Sequence, residues 1–494
     1  MECIQTISKG GLAMMKRLKL SGKLTIVGIG IVLCLVMIVS IAGKSSERGK
    51  EAAAINILAT QDPFYFGMEL LIAEFEEETG IDVNLEGLAY DALHAKIITS
   101  FIGKTAGVDV VTVDQMWLSQ YADNNWIIDL TPFIEEDKEE VKMDEFVPEV
   151  VYSMSEWRGK IFTMPIAAYG QFVIYRTDLM KKAGLKPPPE KPEDWWTWEV
   201  YLEYVQKLHK LGPDIYGTVI CGAQPVPIVH MYTQLAVANG VTWVKNFPQG
   251  TWDFTPTINS PENVEALEFY KALYSYAPPE CINYNWFDAG MEFAKKDISM
   301  FFWWTPYGYL VRQAGYMVEE PSPVVGKYKI APLPRNPGKK QIYSLGGWSV
   351  AIPTYSASKD AAWEFVKWVT SGPTQKKMGL VGLKQFNDFC REPLFRDKDL
   401  IEVYPWLETQ LFTLKEGDGK ITRPPIPIYT TLEGFYGLQL NMVVAGMKPA
   451  KDALNEVQQQ FELALKQNFF LPYPGESYDD TLANTEKLLK ELSP

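Results

Sequence analysis

INILATQDPFYFGMELLIAEFEEETGIDVNL, residues 55–85, is the stretch that decides the fold. Ile55-Asn56-Ile57-Leu58 opens it as a strand. Met68, Leu71, Ile72 and Phe75 then recur at helical spacing, which predicts an amphipathic helix with Glu74, Glu76, Glu77 and Glu78 turned largely to water. Thr79-Gly80 ends that helix, because glycine takes the left-handed cap without a steric penalty. Ile81-Asp82-Val83-Asn84-Leu85 alternates as a second strand. Leu93, Ile97 and Phe101 mark a second helix stopped by Gly103, and 108–113 reads as a third strand. Strand–helix–strand–helix–strand with short connections predicts a mostly parallel, doubly wound sheet. Ligands of such sheets sit beyond the carboxyl ends of the strands, so the loops 61–66 and 114–120 are the first to inspect.

Working outward, a second α/β region begins near Met164-Pro165. Strands are expected at 172–175, 328–331 and 349–352, and a helix at 198–211. Another helix starts at Ser260-Pro261-Glu262, with serine as the cap and proline at the first position. Ala362, Phe365, Val366 and Val369 give a further amphipathic helix, and a Pro-rich stretch at 423–427 precedes helices near 433–446 and 451–466. The chain shows neither an internal repeat nor a low-complexity block. Its 494 residues exceed one ordinary core, so two domains are the default.

The N-terminus fixes the compartment. Lys9, Lys16, Arg17, Lys19 and Lys23 precede an apolar run over 24–43, the order of a secretory leader. Ser40-Ile41-Ala42 offers the small side chains of a cleavage site; uncleaved, the run is long enough to span a bilayer. Residues 1–43 are thus read as a signal peptide or N-terminal membrane anchor, and 44–54 as a polar linker. A third option, a lipid on Cys34, meets an unsuitable bulky Leu33. The five positive side chains of the leader against Glu2 leave it at +4, so of the formal charge of −14 the remainder carries −18. That excludes a basic nucleic-acid footprint. Cys221, Cys281 and Cys390 allow at most one disulfide, and His94, His209 and His230 lie too far apart in sequence to suggest a metal site.

Several segments in order resemble one family. Phe75 to Val83 looks like its "F-x-x-x-T-G-I-x-V", and Val108 to Trp117 like its "D-V-V-x-x-D-x-x-W". Trp157-Arg158-Gly159-Lys160-Ile161 with Pro165 matches "W-x-G-K-I-Y-x-x-P", and Tyr175 to Leu185 is close to "Y-N-x-D-L-F-K-K-A-G-L". Ile298-Ser299-Met300 with Trp303-Trp304 parallels "A-A-M" and a tryptophan, and Gly346-Gly347 through Phe365 parallels "G-G … A-W-E-F". The chain is similar, over nearly all of 55–470, to family 1 of the bacterial extracellular solute-binding proteins. These serve ABC-type sugar importers and include the maltodextrin and glycerol-phosphate binders. The resemblance implies an α/β, two-lobed periplasmic-binding-protein-like fold (type II), with discontinuous lobes joined by hinge crossovers and the ligand between them. Residues 55–166 and 346–410 would form lobe 1; 167–345 and 411–494 would form lobe 2. It also implies an exported monomer whose partners are a carbohydrate and the permease subunits of an ABC importer, with no catalytic residue, cofactor, metal or nucleic acid.

A sugar ring is apolar on its axial C–H face and polar around its hydroxyl rim. A site for one therefore combines flat aromatic rings with Asp, Asn, Gln or Arg at the edges. With 15 Trp, 25 Tyr and 24 Phe, most aromatics must be core, and the informative ones lie in loops after strands. In lobe 1 the candidates are Asp62 and Tyr65 after strand one, Tyr90 after strand two, and Asp114 and Trp117 after strand three. Across the cleft stand Tyr169 and Gln171, then Trp303, Trp304 and Tyr307. Gly347, which lets a ligand approach the backbone, is followed by Trp348, and Glu433 and Tyr436 open a late helix. Each has a plainer reading. A tryptophan is more often core than platform, and Asp114 could serve as a helix cap. Trp195, Trp196 and Trp198 read as packing or capping, and Cys221 and Cys281 as buried or paired.

Two rival functions use the same residue types. A secreted glycoside hydrolase would need two carboxylates placed across a bond, and no strand-end pair emerges. A membrane-tethered sugar sensor would need an output domain, and none precedes residue 24. An oligosaccharide, sugar or polyol is the expected ligand. Glycerol phosphate would require a cluster of cationic donors that the sequence does not place.

Overall fold

Three strands and two helices form in the order the apolar spacing predicts: β1 (Ala54–Thr60), α1 (Pro63–Thr79), β2 (Asp82–Leu88), α2 (Tyr90–Ile102) and β3 (Val110–Asp114). The computed structural model describes residues 53–191, 194–247, 252–295, 298–311, 322–382, 384–468 and 470. The leader reading of 1–43 lies outside these. Gly80 closes α1 at φ +70°, donating its N–H to Glu76 O, as the Thr-Gly signal implied. Met68, Leu71 and Phe75 of α1, and Leu93, Ile97 and Phe101 of α2, are the buried faces that hold these helices on the sheet.

The rest of the first sheet comes from far along the chain. β4 (Met164–Tyr169) and β8 (Gly346–Ala351) complete it, and between them in sequence lie β5 (Gln171–Arg176), β6 (Met300–Trp304) and β7 (Tyr328–Ala331). The order is β2-β1-β3-β8-β4. β1 runs parallel to β2 and β3, whereas β8 is antiparallel to both β3 and β4. β3 is buried along its whole length, which is why valine dominates it and the only polar side chains it carries are the buried Thr112 and Asp114. The second sheet differs from the first in kind. It has three strands in the order β6-β5-β7, all antiparallel. Helices supply most of its lobe: α3 (Val226–Ala238), α4 (Pro261–Tyr274), α5 (Trp286–Lys295), α6 (Leu407–Lys415), α7 (Tyr429–Val444) and α8 (Ala450–Gln467). Ser260 caps α4, its hydroxyl accepting the Asn263 N–H at 3.2 Å.

The chain leaves the first sheet at Tyr169 and enters the second at Gln171, so this passage falls at Gly170, later than the 166/167 boundary read from sequence. The boundary expected at 410/411 falls inside α6. Gly170 is held on both sides: it donates to Thr305 Oγ1 at 3.2 Å and accepts from Thr305 N at 3.0 Å. Thr305 Oγ1 in turn donates to the buried Asp388 carboxylate at 2.6 Å. A Cβ on Gly170 would lie 2.3 Å from Thr413 Oγ1, so only glycine fits this passage. Among the described residues no helix is long and apolar enough to cross a membrane.

Candidate functional site

The carboxyl ends of β1 and β3 deliver two aspartates to one cavity. Asp62 and Asp114 each stand at the cap position of the following helical turn, and neither side chain caps it. Their carboxylates are turned instead into one shared cavity. That space is lined by Asp62, Tyr90, Asp114, Tyr169 and Trp348 together with Trp304, Tyr307, Trp286, His230, Arg423, Gly346 and Gly347.

Asp62 is the most engaged acceptor. Tyr169 Oη and Trp348 Nε1 each donate to its Oδ2 at 2.9 Å, and Tyr307 adds a third bond. Burial raises its pKa above the ordinary carboxylate value, and the three donors oppose that rise. Asp114 is raised by burial too; Arg423 and the Tyr90 hydroxyl favour its charged form. Its Oδ1 is shielded from solvent and has no hydrogen-bond partner.

Arg423 supplies the cation. Its Nη1 lies 2.9 Å from Met116 Sδ, and its Nη2 donates to Gln115 Oε1 at 2.9 Å and to Leu345 O. The guanidinium lies over the Trp304 ring at 5.3 Å, and its Nε is buried without a partner. Arg423 Nη2 would sit 2.6 Å from a Cβ on Gly346, and Gly347, at φ +127°, would bring one to 2.0 Å from Ala167 O. The Gly-Gly pair therefore makes room for both the guanidinium and the neighbouring strand.

Behind Arg423, His230 Nε2 lies 3.0 Å from Glu433 Oε1. Burial, then Arg423, push the imidazole well below its ordinary value, while burial raises Glu433 to about 8. Both shifts favour the uncharged forms of the two side chains, and Nε2 is buried without a hydrogen-bond partner.

Aromatic rings close the space. Tyr90 packs on Trp348 at 5.8 Å and on Trp286, from the other lobe, at 6.1 Å. His230 lies 5.3 Å from Trp286, whose Nε1 is buried and unpartnered. A cavity whose walls are indole and phenol rings, and whose edges carry orphaned acceptors and donors, can receive a molecule rich in both C–H and O–H groups.

Of the residues expected from sequence, the cavity brings together Asp62, Tyr90, Asp114, Tyr169, Trp304, Tyr307, Gly347 and Trp348. Six others do not line it. Tyr65 fills the space beside Gly87 and meets Glu69 through its hydroxyl at 3.3 Å. Trp117 is 1% exposed, stacked on His94 at 4.3 Å and packed behind Tyr90 and Trp348. Trp303 points to the opposite face of its strand from Trp304, as strand alternation requires, and its Nε1 bonds Trp286 O. Gln171 is fully buried beside Trp304 in the sheet register. Glu433 sits behind His230, and Tyr436 is tied to Asn263. The sequence reading missed His230, Trp286, Gly346 and Arg423. Gly346 belonged to a pair already noted and Arg423 opened the Pro-rich stretch, whereas His230 and Trp286 carried no local signal. Among the described residues no group of three or more His, Cys, Asp or Glu could hold a metal ion.

The model of a family described as "Bacterial extracellular solute-binding protein" matches residues 60–376. A solute-binding protein of an ABC transporter from Agrobacterium radiobacter K84, solved with ribitol, is 31% identical with a TM-score of 0.74. That match covers 83% of this chain and 98% of that one. The erythritol/L-threitol-binding protein of Mycolicibacterium smegmatis is 22% identical, over 72% of this chain and 74% of its own length. The mannitol-binding protein of Pseudomonas aeruginosa is 25% identical, over 60% and 64% respectively. The βαβαβ first sheet, its late-arriving β8, the separate antiparallel sheet and the cavity between the lobes are thus the two-lobed architecture of these relatives, and the chain belongs to the bacterial extracellular solute-binding protein family.

Proposed function

We propose that this protein captures one small, uncharged carbohydrate, a linear polyol of the size of ribitol or mannitol, and hands it to an ABC-type importer. The observation that carries this reading is the closed cavity in which Asp62, Asp114 and Arg423 face rings from both lobes. Two carboxylates against one guanidinium disfavour a phosphate and suit hydroxyls, each able to donate to an aspartate and accept from Arg423. The polyols named for the relatives from Agrobacterium, Mycolicibacterium and Pseudomonas support the same class.

Binding here is capture without chemistry, by an exported monomer whose residues 1–43 act as a signal peptide or as a membrane anchor. Asp62 is committed to three donors on the protein, which suits an orienting acceptor and not a general acid. Thermal unfolding tests the proposal, because a ligand that binds only the folded state raises the melting temperature with its concentration. Ribitol or mannitol is expected to raise it and to be recovered unchanged. A shift with maltotriose or glycerol phosphate and none with any polyol would overturn the reading.

A further inference from the structure

Outside the cavity, an aromatic contact joins the two lobes. Glu156–Trp157 and Lys160–Ile161 pair antiparallel as a small hairpin of the first lobe. It is fixed there by Leu130 N, which donates to Ile161 O at 2.7 Å. Trp157 Nε1 also donates to Oδ1 of Asp123, on the helix after β3, at 2.6 Å. Val244–Asn246 and Asp253–Pro256 pair as a second hairpin, in the other lobe. Gln458 of α8 holds it, donating to Pro256 O at 2.8 Å, and Trp243 at its root stacks on Tyr429 of α7 at 5.0 Å.

The two hairpins meet through their rings. Trp157 stacks on Trp252 at 5.8 Å with 29° between the planes, and Phe247 lies against both, at 6.4 and 5.1 Å. Trp157 is 3% exposed although its own strand is two residues long, because the rings of the other lobe cover it. None of these three rings lines the interlobe cavity. Arg158 stands at φ +52° ahead of Gly159 at +75°, in a two-residue turn that ordinarily takes asparagine or glycine. That left-handed backbone places its guanidinium 5.6 Å from the Trp157 ring and 5.7 Å from the Trp252 ring, with Nε 3.3 Å from Asp123 Oδ1. One cation thus spans rings from both lobes.

We propose that the Trp157–Trp252 stack, with Arg158 over it, is a clasp that favours the closed arrangement of the lobes from outside the cavity and so sets how tightly a ligand is held. Hairpins anchored one to each lobe separate as the lobes part about the passage at Gly170, so the stack forms on closure. A contact made on closure adds its free energy to that of the ligand, and the apparent affinity rises with it. Residues that never touch the ligand therefore tune its capture. The clasp presupposes the receptor role proposed for this chain, but no particular solute.

Small-angle X-ray scattering and ribitol calorimetry on the full chain test it, with wild type, Trp252→Ala and Arg158→Asn, a substitution that suits the left-handed turn. Trp252→Ala is expected to raise the ligand-free radius of gyration above that of wild type and to weaken ribitol binding about fivefold or more. Arg158→Asn is expected to shift both in the same direction by less, with a urea unfolding midpoint close to wild type; it decides the matter alone if Trp252→Ala fails to fold. A ligand-free radius equal to wild type in the folded variants would overturn the clasp, whatever the affinity. Failure of the polyol reading would look different: no ribitol binding by wild type, with the variants still expanded.

Discussion

Asp62 illustrates how a side chain at a cap position can be turned into a cavity instead. It follows a strand and precedes Pro63, a position where aspartate ordinarily caps a helix, yet its carboxylate takes bonds from Tyr169, Trp348 and Tyr307 instead. Asp62→Asn removes the charge from that focus. It is expected to weaken polyol binding by about 1.5–3 kcal/mol, the worth of a hydrogen bond to a charged group, with cooperative unfolding retained. Isothermal calorimetry would read the loss. Glu433 makes a different statement, about stability. Burial lifts its folded pKa from 4.5 to about 8, so the folded state holds the proton more tightly than the unfolded chain. The resulting stabilisation is complete below about pH 4.5 and is lost as pH rises through 8, by up to about 1.4 kcal/mol per pH unit. Urea unfolding across pH 5 to 9 should show Glu433→Gln declining less steeply with pH than wild type; parallel profiles would contradict the assignment.

At the scale of elements, strand alternation separates residues that adjoin in sequence. Trp304 faces the cavity and Trp303 the core, so the two alanine variants should part company. Trp304→Ala is expected to weaken ligand binding with modest loss of stability, and Trp303→Ala to cost about 3–5 kcal/mol in urea unfolding. Trp117→Ala belongs with the second class, because its ring is stacked on His94 beneath the cavity wall. These pairs also mark how far the sequence could be read. The helix of Met68, Leu71 and Phe75 and the apolar run of β3 express their structure in local spacing, so fold and strand-end loops were legible. Which of two adjacent tryptophans faces the cavity depends on the register of β6 against β5, which spacing alone does not encode. His230, on a helix buried almost throughout, and Trp286 reach the cavity only through tertiary packing. The antiparallel character of the second sheet was hidden for the same reason, since its strands are separated by long helical excursions.

Over the whole molecule, the cavity is closed because both lobes contribute to each of its surfaces. Tyr90 meets Trp286 across it, Tyr307 reaches Asp62, and Arg423 is held by Gln115 and Met116 from the first lobe. The Gly170–Thr305–Asp388 tie sits where the chain passes from one sheet to the other, the place for a hinge. Entry of a ligand requires the lobes to part, and the orphaned polar atoms of Asp114, Arg423 and Trp286 reward closure around a guest that pairs with them. Calorimetric titration of the full chain with ribitol and mannitol, beside maltotriose and with Asp62→Asn as control, tests this account most directly. The expected result is one polyol bound per chain, tight in wild type and weakened roughly ten- to hundredfold in Asp62→Asn. Binding of maltotriose alone, or polyol binding indifferent to Asp62, would contradict it.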